Sequence, residues 1–405
     1  MPALIDVSNA DAILKEYYSN QRVTQLTYKD CPFYALLPKH KDFFGDTYPL
    51  PMRVTNPQGA SNVFANAQAQ KESSNYKKFS LTRSKDYSLA SISTEAMLAS
   101  ESNAGAFLQL ATAEIDGAIE TMKRRMGWAI YGDGSGAIGA IAAEPAEAAS
   151  TVVTFSNVED IVKIEVGQTI QFRNGATVRS FDGTITSGRV SAVNRDAGSF
   201  TIPVAYTASG TIAAADTCNV VGDYNAKLSG LAAWIPASAP GATAFFGVDR
   251  SIDTTRLGGV RIASAGKPIE EALVDGARRI GREGLGNPNY VFTGFSRYAS
   301  LDKSLGSKVR YKDVEVAGIS FRGIEVSGPQ GTMTVIPDRD CPENRMYLVD
   351  MSTLGLYSLK EPIMLLNQDG NKMLREASAD AMEVRVGGYF QLGCTSPGSS
   401  GVLTF

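Results

Sequence analysis

One stretch constrains everything else in the chain: Ala106 to Tyr131, AFLQLATAEIDGAIETMKRRMGWAIY. Phe107, Ala111, Ile115, Ala118, Met122, Met126 and Ala129 recur in steps of three and four, the signature of one helical face. Ile119 and Ile130 widen that face. Ser102 and Asn103 stand before it as N-cap candidates, and Lys123, Arg124 and Arg125 come late, where cations suit the helix dipole. The glycines of GDGSG, Gly132 to Gly136, end it. Such a helix is roughly 39 Å long at ~1.5 Å per residue, against a mean of about 11–12 residues in globular domains. Flanked by β-rich sequence on both sides, it reads as a spine.

The chain is long enough, at 405 residues, for a large core in two or three domains. Its 43% hydrophobic and 20% charged residues mark it as globular, and a net charge of −3 argues against a dedicated nucleic-acid reader. Cys31, Cys218, Cys341 and Cys394 form no C-x-x-C pair, and the single His40 cannot complete a zinc finger. They read as free thiols in a reducing compartment. Met1 to Ala10 lacks the basic start and apolar run of a signal peptide, and no stretch approaches the ~20 apolar residues of a membrane span. A protein kept in a cytosol is expected.

From the start, Ala10 to Tyr18 has a short helical pattern, and an irregular arm follows to Gly45, punctuated by Pro32 and Pro38. Thr47–Thr55 and Phe79–Ile92 alternate and are predicted to pair. Between them, Asn56 to Lys78 has too few apolar residues for a core of its own. The sum is a long hairpin with a polar, basic tip at Lys71, Lys77 and Lys78. A two-stranded hairpin is not stable alone in water, so another subunit is its natural support. Ser93 to Ser100 is predicted as a short helix, and Ala137 to Ser150 as a linker. Thr151 to Gly222 holds short alternating runs separated by turn signals such as Asn174-Gly175 and Asp182-Gly183, the pattern of a small β-barrel or sandwich. Beyond Gly241 the chain mixes α and β, with a helix over Pro268–Glu283 and strands at Tyr290–Thr293, Val314–Ile319, Gly323–Val326, Met333–Ile336, Met346–Val349, Leu354–Leu359 and Met382–Val386.

No catalytic set emerges. His40 lies among lysines and reads as a solvated surface residue. GDGSG and GREGLG (Gly281 to Gly286) follow helices rather than strands, so they are helix stops, not phosphate or dinucleotide loops. Asp338, Asp340 and Glu343 cluster between Pro337 and Pro342; the expected reading is a solvated turn, with a metal site as the alternative. Lys123–Arg125 reads as a solvated helix end, with nucleic-acid contact as the alternative.

Taken in order, these segments resemble the major capsid proteins of tailed bacteriophages, the Hong Kong 97-like fold. WAIYGDGSG (Trp128 to Gly136), GAIGAIA, LSGLAAWIP (Leu228 to Pro236), NPNYVFTGFSRYASL (Asn287 to Leu301) and TMTVIPDRDCPENRMYLVDMSTLGLYSL (Thr332 to Leu359) carry the likeness. The fold class implied is α+β: an N-terminal arm (1–45), an extended β-hairpin loop (46–92), a peripheral domain with the spine helix (93–146), an inserted small β-barrel-like domain (147–230), an axial domain (231–345) and return strands (346–405). The function implied is a structural one, not an enzyme: self-assembly through hexamers and pentamers into an icosahedral shell around double-stranded DNA. An encapsulin-type cellular cage of the same fold is the alternative. Implied partners are the chain itself, a portal protein, a separate scaffolding protein, a decoration protein and packaged DNA held non-specifically, with no cofactor and no membrane. The implied location is the virion, assembled in a bacterial host's cytoplasm. Some relatives weld subunits by a lysine–asparagine bond. Lys71, Lys77 and Lys78 with Asn367 and Asn371 are the residues available for it, but a lysine in a polar tip is a poor nucleophile. No cross-link is expected, and the lysines are assigned to contacts with acidic residues of neighbours such as Glu361, Asp369 or Glu376.

Overall fold

The computed structural model describes residues 31–95, 104–306, 309–316, 319–366, 373–376 and 379–405, with side chains of the long helix from residue 113 onward. The predicted Ala10–Tyr18 helix, the caps Ser102 and Asn103, and Asn367, Asp369 and Asn371 lie outside the described residues. The chain divides into two compact units, Met1–Asp133 with Leu228–Phe405, and Gly134–Lys227.

The first unit opens with a short helix, α1 (Pro32–Leu36), and a two-residue strand, β1 (Lys39–His40). Then come β2 (Thr47–Thr55), α2 (Phe64–Ala69), β3 (Asn75–Thr82), β4 (Ser84–Ser93) and α3 (Ala104–Tyr131). The predicted pairing of Thr47–Thr55 with Phe79–Ile92 needs correction. Only β3 pairs with β2, from Thr47 opposite Thr82 to Thr55 opposite Asn75, while β4 joins another sheet. The reason lies in two different inward faces. Leu50, Met52, Val54, Phe79 and Leu81 of the hairpin base bury against aromatic residues, with Phe79 edge-on to Trp234 at 5.1 Å. The inward face of β4 is short-chained (Ser84, Asp86, Ser88, Ala90, Ile92) and packs under α3. On α3 the described apolar face, Ile115, Ala118, Ile119, Met122, Met126 and Ile130, is buried. The basic run is not a solvated end: Lys123 is buried, Arg124 stacks on Trp128 at 5.2 Å, and Arg125 donates to the buried Asp86 at 2.8 Å.

The second unit contains β5 (Ala137–Ala140), β6 (Thr151–Thr154), β7 (Thr169–Asn174), β8 (Thr177–Val178), β9 (Ser187–Arg189), β10 (Ala192–Asn194), β11 (Ser199–Ile202) and β12 (Thr217–Val220). They form two antiparallel sheets, one ordered β10–β11–β6, the other β5–β12–β7–β8 with β9 also on β7. Between them lies a core with Phe155, Phe172, Phe181, Phe200, Ile170 and Ile202 fully buried. The turn at Asn174-Gly175 places Gly175 at φ 55°, where a glycine avoids the steric cost of a Cβ. The expected linker reading of Ala137–Ser150 is corrected at its start, since β5 pairs with β12 inside this unit.

The first unit resumes with α4 (Leu231–Trp234), β13 (Val260–Ala263), α5 (Ile269–Arg279), β14 (Tyr290–Thr293), α6 (Phe295–Leu305), β15 (Tyr311–Val316), β16 (Ile319–Gly328), β17 (Gly331–Pro337) and β18 (Arg345–Val349). It ends with β19 (Leu354–Ser358), β20 (Met364–Leu365), β21 (Leu374–Arg375), β22 (Ala381–Cys394) and β23 (Gly401–Thr404). One mixed sheet runs β13–β23–β18–β14–β17–β16–β15, with α5 and α6 packed on it. A second is built around the 14-residue β22, which pairs with β19, β20, β21 and β4 while β1 adds to β19. The four cysteines are free and buried.

Candidate assembly interface

The hairpin β2–β3 has a buried base and a bare tip. Between residues 56 and 78 the only large apolar side chains are Val63, Phe64 and Tyr76. All three face solvent, Phe64 at 81% exposure and Tyr76 at 63%. Helix α2 buries none of its residues. A six-residue helix is far below the ~12–15 residues that hold helical form alone in water. Within the tip the chain approaches itself closely at Gly59, where a Cβ would meet Ala67 O and Lys71 Cα at 2.9 Å. Of the predicted contact residues, Lys71 and Lys78 are exposed and Lys77 is half-buried. Lys77 lies near Asp249 of the same chain, where it adds a small downward pull to that carboxyl, after the larger effect of the Ser251 hydrogen bonds. Lys77 and Lys78 are neighbours in β3, and Lys71 lies just past the end of α2. Val63 and Phe64 were missed by the sequence reading; two adjacent large apolar residues in an otherwise polar stretch were the available signal.

At the other end, the arm is bolted to the subunit by Asp338. The expected solvated turn is corrected here: Asp338 is 1% exposed and Asp340 is also buried. Asp338 Oδ2 accepts from the Phe33 amide at 3.3 Å and the Tyr131 hydroxyl at 2.9 Å, and its Oδ1 accepts from the Asp340 amide at 3.0 Å. Burial, with Asp340 adding, pushes the Asp338 carboxyl up to about 6. Burial also raises Asp340, against the neighbouring Arg339 guanidinium. Phe33 packs on Phe292 at 4.8 Å and Tyr131 at 5.5 Å, so α1, the end of α3 and β14 meet around one carboxylate. Glu343, from the same turn, accepts from the Ser296 amide at 3.1 Å at the start of α6. Among the described residues no three His, Cys, Asp or Glu side chains come together as metal ligands. His40 is exposed and stacks on Tyr357 at 4.8 Å.

The profile of the family described as SU10 major capsid protein matches residues 205–372. The capsid asymmetric unit of cyanophage A-1(L) superposes over 93% of this chain and 92% of its own, at 13% identity and a TM-score of 0.50. The chain is a phage major capsid protein with the Hong Kong 97-like fold. Two further structures resemble this capsid protein at lower scores. The holo-SrpI encapsulin complex of Synechococcus elongatus PCC 7942 covers 99% of this chain and 95% of its own, at 11% identity and TM-score 0.46. Mycobacterium phage Ogopogo covers 93% and 92%, at 11% and 0.41. No curated protein matches it. The long helix α3 and the hairpin β2–β3 stand where the sequence reading expected the spine helix and the extended loop. Among the described residues no helix is long and apolar enough to cross a membrane.

Proposed function

We propose that copies of this capsid protein join as hexamers and pentamers into the icosahedral shell of a tailed-phage virion enclosing double-stranded DNA. The observation that carries this is the tip of the extended loop, residues 56–78, whose large apolar side chains Val63, Phe64 and Tyr76 all face solvent in the single subunit. A segment that buries nothing at home gains its order on a neighbour, and interlocking extended elements is how obligate interfaces reach ~2,000 Å² and more. Lys71, Lys77 and Lys78 contact the neighbour around that apolar tip. Such exposed pairs are worth ~0–1 kcal/mol each, so they set register while Phe64 supplies affinity. The near-neutral chain touches packaged DNA non-specifically, because phosphate affinity grows with the number of basic contacts. A portal protein, a separate scaffolding protein and a decoration protein complete the particle, which is built in the bacterial cytoplasm without a catalytic step by this chain. The family match to a phage major capsid protein favours this over an encapsulin-type cage.

The test is deletion of Asn62–Lys78. The expected result, by negative-stain microscopy and circular dichroism, is a folded subunit that builds no shells. Normal particles would overturn the reading.

A further inference from the structure

Leu285 sits in a backbone conformation that disfavours it. Its φ of 57° and ψ of 27° are left-handed, at the end of a helix, where glycine is usual. Its N–H donates to Ile280 O, five residues back, closing a single π-turn over Ile280–Gly284 beyond α5. A leucine meets a steric cost there that glycine escapes. Packing explains the same conformation at Phe246, φ 47°, whose ring lies 5.8 Å from that of Trp234. Leu285 is instead 73% exposed.

The turn that displays it is braced by backbone. A Cβ on Gly284 would collide with Gly398 O, and one on Gly286 with Ser399 Cα, so the chain on both sides of Leu285 lies flat on the buried Pro397–Ser399 turn. A second segment presses on the same turn, where Gly398 N–H donates to Arg256 O at 3.0 Å. Four residues before Arg256, Ile252 is 58% exposed. Both apolar side chains thus rise from backbone fixed at one point, with Ser251, Arg282 and Glu283 exposed near them in the chain. An apolar centre with a polar rim is the make-up of a contact surface.

The place of this pair says what covers it. Arg256 Nη1 donates to Val54 O at 2.9 Å. Val54 lies at the register shift in β2, two residues before the bare tip begins. The segments that carry Ile252 and Leu285 therefore meet at the root of the extended loop. A copy of the chain that takes the tip is brought against the root as well.

We infer that Ile252 and Leu285 make an apolar contact, separate from the loop itself, with a second copy of this chain, and that the left-handed Leu285 is displayed for that contact. The inference rests on the self-assembly reading above and adds a surface to it. Strained backbone is kept where a function uses it.

Leu285→Gly separates the two roles that a leucine could have here. Glycine suits the backbone, so the melting temperature of the subunit is expected to hold or rise. Shell yield is expected to fall roughly fivefold, the effect of losing one well-packed apolar contact. A lower melting temperature would mean that the side chain packs within its own subunit and would overturn the inference, as would an unchanged yield. Hydroxyl-radical footprinting of the unaltered chain reads the side chains directly. Oxidation of Leu285 and Ile252 is expected to slow severalfold from free subunits to shells built of this chain alone. Equal oxidation in both states overturns the contact. Protection that appears only in particles holding a second protein species assigns the patch to that species and also overturns it. If Phe64 is protected in shells while Leu285 is not, the loop reading stands and the root patch is no interface.

Discussion

Two segments of this capsid protein leave the path of its main core, and they could hardly differ more. The insert, Gly134–Lys227, closes two sheets over its own aromatic core, with Phe155, Phe172, Phe181 and Phe200 all buried. The loop tip, residues 56–78, holds three large apolar side chains and exposes each one. A segment with a filled core has met its entropy cost internally. A segment without one is incomplete until something else covers it. The first carries what a segment needs to fold for itself; the second, on the function proposed above, serves assembly.

The strongest way to break this contrast is to express Gly134–Lys227 alone. It is expected to give a β-type circular dichroism spectrum and one cooperative melt, whereas a peptide of residues 56–78 gives neither. A structureless insert would erase the distinction. Next in size are paired truncations. Phe172→Ala is expected to cost the insert about 3–5 kcal/mol in urea unfolding, because a filled position becomes a cavity. Phe64→Ala is expected to leave subunit stability within about 0.5 kcal/mol, the range of ordinary surface changes, while reducing shell yield. A Phe64→Ala loss above ~2 kcal/mol would mean that the tip is packed at home.

The arm segment Cys31–Leu37 is a third case, neither self-sufficient nor unattached, because Asp338 ties it down. Its carboxyl titrates near 6 in the fold against 3.8 for an ordinary aspartate. A raised carboxyl favours the folded state when protonated, so its contribution is full below about pH 4 and is lost as the pH rises through about 6. The expected size is at most about 3 kcal/mol. Melting temperatures of the unaltered subunit relative to Asp338→Asn should therefore fall between pH 4 and 7. A relative melting temperature that rises over this range would rule out the account of the buried carboxylate.

Regular periodicity was the legible part of the sequence. The spine helix declared itself through Ile115, Ala118, Met122 and Met126, all buried. Tyr290–Thr293 alternates too little to be certain alone, yet bounded by Pro288 and Gly294 it reads as the strand it is. Long-range pairing was not legible. Nothing local in Phe79–Ile92 says that its halves serve different sheets, because both halves alternate; the division comes from what each inward face meets. Asp338 was misread for the same reason. Aspartates between prolines look like a surface turn until the Phe33 amide and the Tyr131 hydroxyl, far away in sequence, arrive to satisfy them. For the proposed interface, the polar loop and the positions of its lysines were visible from composition. Val63 and Phe64 were legible too, as two adjacent large apolar residues in a polar stretch, but their exposure depends on what the rest of the chain covers, and single residues do not carry that.

The ends of the insert have one more consequence. Asn225 N–H donates to Ser135 O at 2.9 Å, and a Cβ on Gly136 would lie 2.2 Å from Asp223 O. The incoming and outgoing strands thus travel as a zipped pair. Ninety-odd residues are thus carried between two ends that lie as close together as those of a tight turn. That makes the position a natural socket. A lineage can lose, lengthen or exchange the cargo carried there without renegotiating the shell, and an engineer can mount a different domain on it, provided that its two ends leave side by side.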